Sequence, residues 1–184
     1  EDLDQDVLHA TPLAFATFAV AGDDEKLYLP IDSSDKMRKL LEGALAQYNE
    51  SNARMSLVLF EQAMGHVCRV SRIIDNPRGN ALLVGVGGSG KQSLTRLGAF
   101  ICNATCFQIT LTKTYNGNNL LEDFKPLYRR AGVQGKPAVF LLTDKEIKSE
   151  GFLEYVNIFL NTGELPNLFP RDELDAIIGE VGPI

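Results

Sequence analysis

The sequence predicts an α/β fold: a parallel sheet in three layers, between helices, with a helical extension at its N-terminal side. In the second half of the chain, short apolar segments typical of buried strands alternate with segments of helical periodicity. A hydrophobic content of 45% over 184 residues is enough for a sizeable core. The last residues do not close an element, so we expect the fold to be incomplete at its C-terminus.

The first predicted part, residues 1–78, contains one short strand and two helices. Residues 27–31 favour the strand, and Ser33, Ser34 or Asp35 can cap a helix that runs to about Asn49. Its apolar face consists of Met37, Leu40, Leu41, Ala44, Leu45 and Tyr48. A second helix is predicted over 56–74, with inward positions Phe60, Met64, Val67 and Ile74.

A turn-rich cluster at 75–80 marks the predicted boundary to a second part, residues 79–184. The predicted strands of this part are 81–84, 106–111 and 138–142. Its predicted helices are 91–103, 118–131 and 149–161. Ligands of such sheets bind at the carboxyl ends of the strands, which places Gly85 at the expected site.

The spacing Gly85-x-x-x-x-Gly90-Lys91 is that of a phosphate-binding loop between a strand and a helix. Small residues allow successive backbone N–H groups to face one anion, and the start of the helix adds its positive dipole end. Lys91 supplies a full positive charge for the outer phosphates. The pattern predicts binding of a nucleotide triphosphate by the loop residues Gly85, Val86, Gly87, Gly88, Ser89, Gly90, Lys91, Gln92 and Ser93.

Two positions near the expected Mg²⁺ ion depart from the general pattern. Gln92 stands where a Ser or Thr hydroxyl ordinarily holds the metal, and an amide oxygen is a weaker ligand. Asp144 ends an apolar strand and is the predicted carboxylate ligand of Mg²⁺, together with Gln92. Lys145 follows it where hydrolytic members of this class carry Glu, and Glu146 comes one residue later as the candidate catalytic carboxylate. We therefore expect nucleotide binding with slow or no hydrolysis.

Composition excludes several other classes of function. A net charge of −6 without a basic block disfavours nucleic acid as a partner. The apolar run at 13–21 is too short to span a bilayer, so no membrane partner is expected. The chain has 3 cysteines and no C-x-x-C pair, which predicts reduced thiols in a cytosolic setting.

Several stretches together resemble the fourth AAA+ module of dynein heavy chains, particularly the axonemal kind. They are the loop region at 81–97 with its Gly-Lys-Gln-Ser sequence, the helix region at 59–69, Asn76 to Gly79, and the segments 151–157 and 161–173. The resemblance covers nearly the whole chain. It implies a P-loop NTPase fold of the AAA+ type, with Gly85 to Ser93 as the Walker A loop and Asp144 as the Walker B acid.

The resemblance also implies a setting. Dynein heavy chains are microtubule motors built on a ring of six AAA+ modules, in which the fourth binds nucleotide and is given a regulatory role. The expected partners are the neighbouring modules of the same chain, the dynein complex and, through a stalk absent from this sequence, microtubules. The expected locations are the cytoplasm, the cytoskeleton and the axoneme of cilia.

Two other hypotheses fit part of the pattern. A stand-alone P-loop kinase acting on nucleotides or small molecules has a similar loop and length, but residues 112–137 hold few of the arginines that an acceptor lid needs. A degenerate module that only fills a place in a ring would keep the fold without binding nucleotide.

Overall fold

The computed structural model describes residues 14–19 and 27–182. The chain forms two compact units, Glu1–Asn103 and Ala104–Ile184. Both helices and strands are present, so the fold is mixed α and β as expected. The sequence predicts a boundary between residues 78 and 79. The division after Asn103 rests on packing alone and does not test that boundary, which stays a prediction.

Within residues 14–19 and 27–103, the first unit contains a two-stranded antiparallel pair and three helices. β1 (Phe15–Ala16) pairs with β2 (Leu29–Pro30). The helices are α1 (Ser34–Ser51), α2 (Glu61–Asp75) and α3 (Lys91–Ile101). The Ser33 hydroxyl accepts a hydrogen bond from the Lys36 amide at 3.2 Å, which confirms the predicted start of α1.

The core of this unit lies where α1, α2 and α3 meet. Leu41, Met64, Val67 and Leu97 are essentially inaccessible to solvent. α2 and α3 pack closely at Gly98, where an added Cβ would lie 3.1 Å from Val70 Cγ1. The helical spacing read from the sequence therefore identified the buried faces of α1 and α2, except at the beginning of α2.

Two predictions for this unit are wrong. The second helix begins at Glu61 rather than at 56, and Phe60 is 54% exposed because it precedes the helix as its N-terminal cap. The predicted strand at 81–84 is absent. A strand needs a neighbour that pairs with its backbone, and within the described residues no segment pairs with this one. Its apolar side chains are therefore exposed, 91% for Leu82 and 87% for Val84.

The second unit is built on a parallel pair. β3 (Thr105–Phe107) and β4 (Ala138–Phe140) are in register at Cys106 and Val139. The helices are α4 (Gly117–Gly132), α5 (Glu150–Thr162) and α6 (Arg171–Val181). A single 3-10 turn, Asp144–Glu146, lies between β4 and α5.

An aromatic cluster forms the core of this unit. Phe124 of α4 is 1% exposed, and its ring lies 4.8 Å from that of Phe140 and 5.8 Å from that of Phe159. α6 buries no side chain completely and is tied to α4 by ion pairs, among them Lys125 with Glu173 at 3.3 Å.

The parallel pairing of β3 with β4 confirms the expected parallel arrangement for these two segments. Both strands are shorter than the predicted 106–111 and 138–142. Each sheet in the described residues has two strands, so the three-layer parallel sheet is not confirmed. Among the helices described, none is long and apolar enough to cross a membrane.

Candidate nucleotide-binding site

The predicted phosphate loop is an exposed turn that leads directly into α3. The helix begins at Lys91, as expected from the sequence, and Gly90 is its N-terminal cap with φ +79°. Gly88 also has a left-handed backbone, with φ +76°. Glycine adopts this conformation without the steric penalty of a side chain, which explains why both positions hold glycine.

No side chain caps the start of α3. The first amides of a helix have no partner within the helix, and together with the helix dipole they attract an anion. A Cβ added at Gly87 or Gly88 would meet no atom within 4 Å, so there is open space beside these two residues. These features fit a phosphate group.

Lys91 folds back over the loop that precedes it. Its Nζ donates hydrogen bonds to the carbonyl oxygens of Gly85 at 2.7 Å and Val86 at 2.8 Å, and to Ser89 Oγ at 3.1 Å. The structure thus brings four predicted binding residues together around one ammonium group. The positive charge lies at the loop, where the predicted role of Lys91 requires it.

Gln92 is exposed in the first turn of α3, and Ser93 is half-buried next to it. In the second unit, Asp144 opens the 3-10 turn and its side chain is exposed. An amide oxygen and a carboxylate are ligand types that Mg²⁺ accepts. No group of three or more His, Cys, Asp or Glu side chains among the described residues could hold a metal by itself. Mg²⁺ commonly relies on nucleotide phosphates and water for its other ligands, so each of these two ligand types by itself suits that ion.

Glu146 is buried at 8% exposure, although it is charged. Its Oε2 accepts a hydrogen bond from the backbone amide of Thr143 at 2.7 Å, and its Oε1 accepts one from Gln108 Nε2. Sequence reasoning missed these contacts. The spacing Thr143-x-x-Glu146 is that of a capping box, and this pattern was the signal for the first of them.

A groove of about 580 Å³ lies in the first unit beside α2. Phe15, Tyr28, Met37 and Arg69 are among the residues that line it. None of the predicted site residues contributes to this groove, so it is not the site that the sequence predicts.

The three cysteines, Cys68, Cys102 and Cys106, are thiols and form no disulfide, as predicted. Burial raises the pKa of Cys68, which favours its protonated form.

Comparison with known proteins identifies the family. Residues 55–183 match the P-loop containing dynein motor region D4. The chain is 54% identical over 183 residues to dynein axonemal heavy chain 5 of Mus musculus, covering 97% of this chain and 4% of that protein. It is 50% identical over 173 residues to the dynein beta chain of the flagellar outer arm of Chlamydomonas reinhardtii, covering 92% of this chain and 4% of the relative.

Dynein axonemal heavy chain 17 of Homo sapiens is 48% identical over 183 residues, which cover 100% of this chain and 4% of the relative. The chain therefore spans about 4% of the length of these relatives. The match includes the phosphate loop, both parallel strands and all helices after α1. The resemblance seen in the sequence is confirmed, and the chain belongs to the P-loop containing dynein motor region D4 family.

Proposed function

We propose that this chain is an ATP- or ADP-binding AAA+ module of a dynein motor, with a regulatory role and slow or no hydrolysis. The arrangement of Lys91 supports the proposal most directly. Its ammonium group lies against Gly85, Val86 and Ser89, immediately before a helix start that no side chain caps. A cation, open glycine backbone and a helix N-terminus at one place favour a polyphosphate over a neutral ligand.

In this proposal the loop amides between Gly85 and Ser93 bind the phosphates, and Lys91 turns from the carbonyl oxygens to the outer phosphates. Gln92 and Asp144 are the protein ligands of Mg²⁺, directly or through water. The ion, when bound, would neutralise negative charge on the phosphates. Gln92 would offer it a neutral amide oxygen, a weaker ligand than the hydroxyl that other enzymes carry at this position.

Slow hydrolysis follows from the surroundings of Glu146. A residue that orients an attacking water must be accessible to that water. Glu146 is 8% exposed, and both of its oxygens accept hydrogen bonds within the protein, from Thr143 and Gln108. Glu146 remains our candidate catalytic residue, but burial restricts the approach of a water to its carboxylate.

The wider setting is also part of the proposal. We place the chain in a motor ring next to other AAA+ modules of one heavy chain, in the cytoskeleton and axoneme of cilia, in contact with microtubules only through other parts of that chain. In that setting the parallel pair β3 and β4 would belong to a larger, three-layer parallel sheet. The family match gives no support to the kinase hypothesis.

Equilibrium binding of a fluorescent ATP analogue to the 184-residue chain tests the proposal. Lys91→Ala should weaken binding at least tenfold, since it removes the charge opposite the phosphates. Lys39→Ala changes another exposed lysine of the same unit and should leave the affinity unchanged. Equal affinity of wild type and Lys91→Ala, or no binding at all by wild type, would contradict the proposal and favour a structural module.

Phosphate release at saturating ATP tests the second part. We expect turnover well below about 1 s⁻¹, the lower end of ordinary enzyme rates. Turnover at the rate of a competent ATPase that Glu146→Gln abolishes would show that the site hydrolyses ATP with Glu146, against the regulatory assignment.

A further inference from the structure

The connectors that follow the two parallel strands are joined to each other by side-chain contacts. We call them the carboxyl rim, which comprises residues 108–116 after β3 and residues 141–149 after β4. Parallel strands share one carboxyl edge, and α/β proteins hold ligands at that edge. Leu141 continues the strand pairing by donating its amide to the Phe107 carbonyl oxygen at 2.8 Å. The two connectors of the carboxyl rim therefore start next to each other, at the paired ends of β3 and β4.

Lys148 makes most of the contacts across the carboxyl rim. Its Nζ donates to the carbonyl oxygens of Thr112 at 2.8 Å, Lys113 at 3.0 Å and Tyr115 at 3.3 Å. An ammonium group has three N–H donors, so this arrangement uses all of them. The acceptors lie 33 to 36 positions earlier in the chain. The hydrogen bonds of Lys148 therefore join two distant segments and are not local to its own turn.

A surface lysine ordinarily extends into water, where its flexible side chain keeps its conformational entropy. Lys148 is exposed, yet its ammonium group is held by three converging carbonyl oxygens. Hydrogen bonds from a charged donor are stronger than those between neutral groups, which offsets the loss of entropy. We therefore take these hydrogen bonds as a stable part of the carboxyl rim.

The connector that Lys148 binds is itself anchored in the unit. Tyr115 is 8% exposed, and its ring packs edge-on against Phe152 of α5 at 5.9 Å. On the other connector, Glu146 holds the 3-10 turn through Thr143 and reaches Gln108. The turn with Asp144 is thus held at two points that follow it: Glu146 binds Thr143 and Gln108, and Lys148 binds the loop 112–115.

We propose that Lys148 is a positioning residue for the carboxylate of Asp144. It fastens the turn that carries Asp144 to the anchored loop 112–115, so that the exposed carboxylate is presented at a constant place. This inference rests on the proposed Mg²⁺ role of Asp144. Lys148 itself contacts neither nucleotide nor metal in this scheme, and it acts through the backbone of the rim.

The variant Lys148→Met tests this, because it removes the ammonium group and keeps a side chain of similar length. Lys145→Met is the matched control, since Lys145 is an exposed lysine on the same turn. Asp144→Asn reports the metal role directly. For each 184-residue variant, two quantities are measured: the ATP affinity ratio with and without Mg²⁺, and hydrogen–deuterium exchange of the backbone at 108–116 and 141–149.

We expect Lys148→Met to speed exchange in both connectors and to reduce the Mg²⁺ affinity ratio about tenfold, as other supports of metal ligands do. Affinity for Mg²⁺-free ATP should stay as in wild type, which a general loss of structure would not allow. Lys148→Arg keeps the charge, but its planar group cannot point three donors at converging acceptors, so it should restore the ratio only in part.

Unchanged exchange in Lys148→Met would overturn the inference, as would full rescue by Lys148→Arg. A ratio lost in Asp144→Asn but kept in Lys148→Met would overturn it and leave the proposed function intact. A ratio unaffected by Asp144→Asn would remove the metal role of Asp144 and the inference with it, while phosphate binding at Lys91 would stand on its own test.

Discussion

The phenol of Tyr115 donates a hydrogen bond to Asp123 Oδ2 at 2.5 Å, from the loop before α4 to the second turn of that helix. Burial raises the pKa of Tyr115, and the hydrogen bond to Asp123 and the negative charge of that residue raise it further. The neutral phenol is therefore the form that the fold stabilises. This contact fixes the end of the loop 112–115 against α4.

Tyr115→Phe should lower the free energy of unfolding by about 1 to 2 kcal/mol at neutral pH, because it removes a hydrogen bond to a carboxylate. The pKa is higher in the folded state, so the wild-type contribution is complete below the ordinary tyrosine pKa of about 10 and is lost as pH rises above it. Urea unfolding at neutral and alkaline pH checks this. The difference in unfolding free energy between wild type and Tyr115→Phe should shrink at high pH. Tyr155→Phe is the control. If the difference between wild type and Tyr115→Phe does not change with pH, the hydrogen bond to Asp123 is contradicted.

Glu146→Gln should destabilise the second unit even in the absence of nucleotide. The carboxylate of Glu146 accepts two hydrogen bonds, whereas a glutamine is neutral and has one oxygen, so its amide nitrogen faces the Thr143 amide unless Gln108 turns its own amide to accept from it. A buried donor without an acceptor costs about 1 to 3 kcal/mol. Thermal unfolding measures the loss, with the exposed Glu154→Gln as the matched change. A melting temperature equal to that of wild type would contradict a stabilising role for these hydrogen bonds of Glu146.

The contrast between Lys91 and residues 81–84 shows what the sequence could predict. The start of α3 at Lys91 is a local feature, set by the backbone freedom of the glycines before it and by a short spacing, so the sequence predicts it to the residue. A strand depends on partners far away in the chain, and an apolar run cannot show whether they are present. The contact of Glu146 with Gln108 and those of Lys148 with the loop 112–115 could not be predicted for a related reason, because they join connectors more than thirty residues apart.

Ser71→Ala should stabilise the first unit. Ser71 is 1% exposed, and within the described part of the chain its hydroxyl has no hydrogen-bond partner. Alanine removes a buried polar atom without leaving a large cavity, which should add about 1 kcal/mol to the free energy of unfolding. Chemical denaturation measures the difference. A loss of stability would mean that the hydroxyl is satisfied by a bound water.

Gly98→Ala tests the contact between α2 and α3 from the opposite side. An added Cβ would lie 3.1 Å from Val70 Cγ1 and 3.4 Å from Ser71 Oγ, so these tightly packed side chains must shift by a few tenths of an ångström. Overpacking of this kind costs about 1 to 3 kcal/mol, more than the gain in helix propensity from alanine. Gly43→Ala in α1 is the control, since its Cβ meets no atom within 4 Å and should be stabilising. Equal effects of the two substitutions on urea unfolding would contradict the close packing.

Gly90→Ala should strain the backbone of the phosphate loop while leaving the positive charge of Lys91 in place. Gly90 has φ +79° as the cap of α3, and an L-residue in that conformation costs about 1 to 2 kcal/mol. We expect a lower free energy of unfolding and weaker ATP binding, because the loop must leave its binding conformation to relieve the strain. Gly87 lies in the same loop outside the left-handed region, and Gly87→Ala should leave stability unchanged. Calorimetric unfolding of both variants decides the point: identical values would show that the start of α3 tolerates a side chain and that its left-handed backbone does not set the loop.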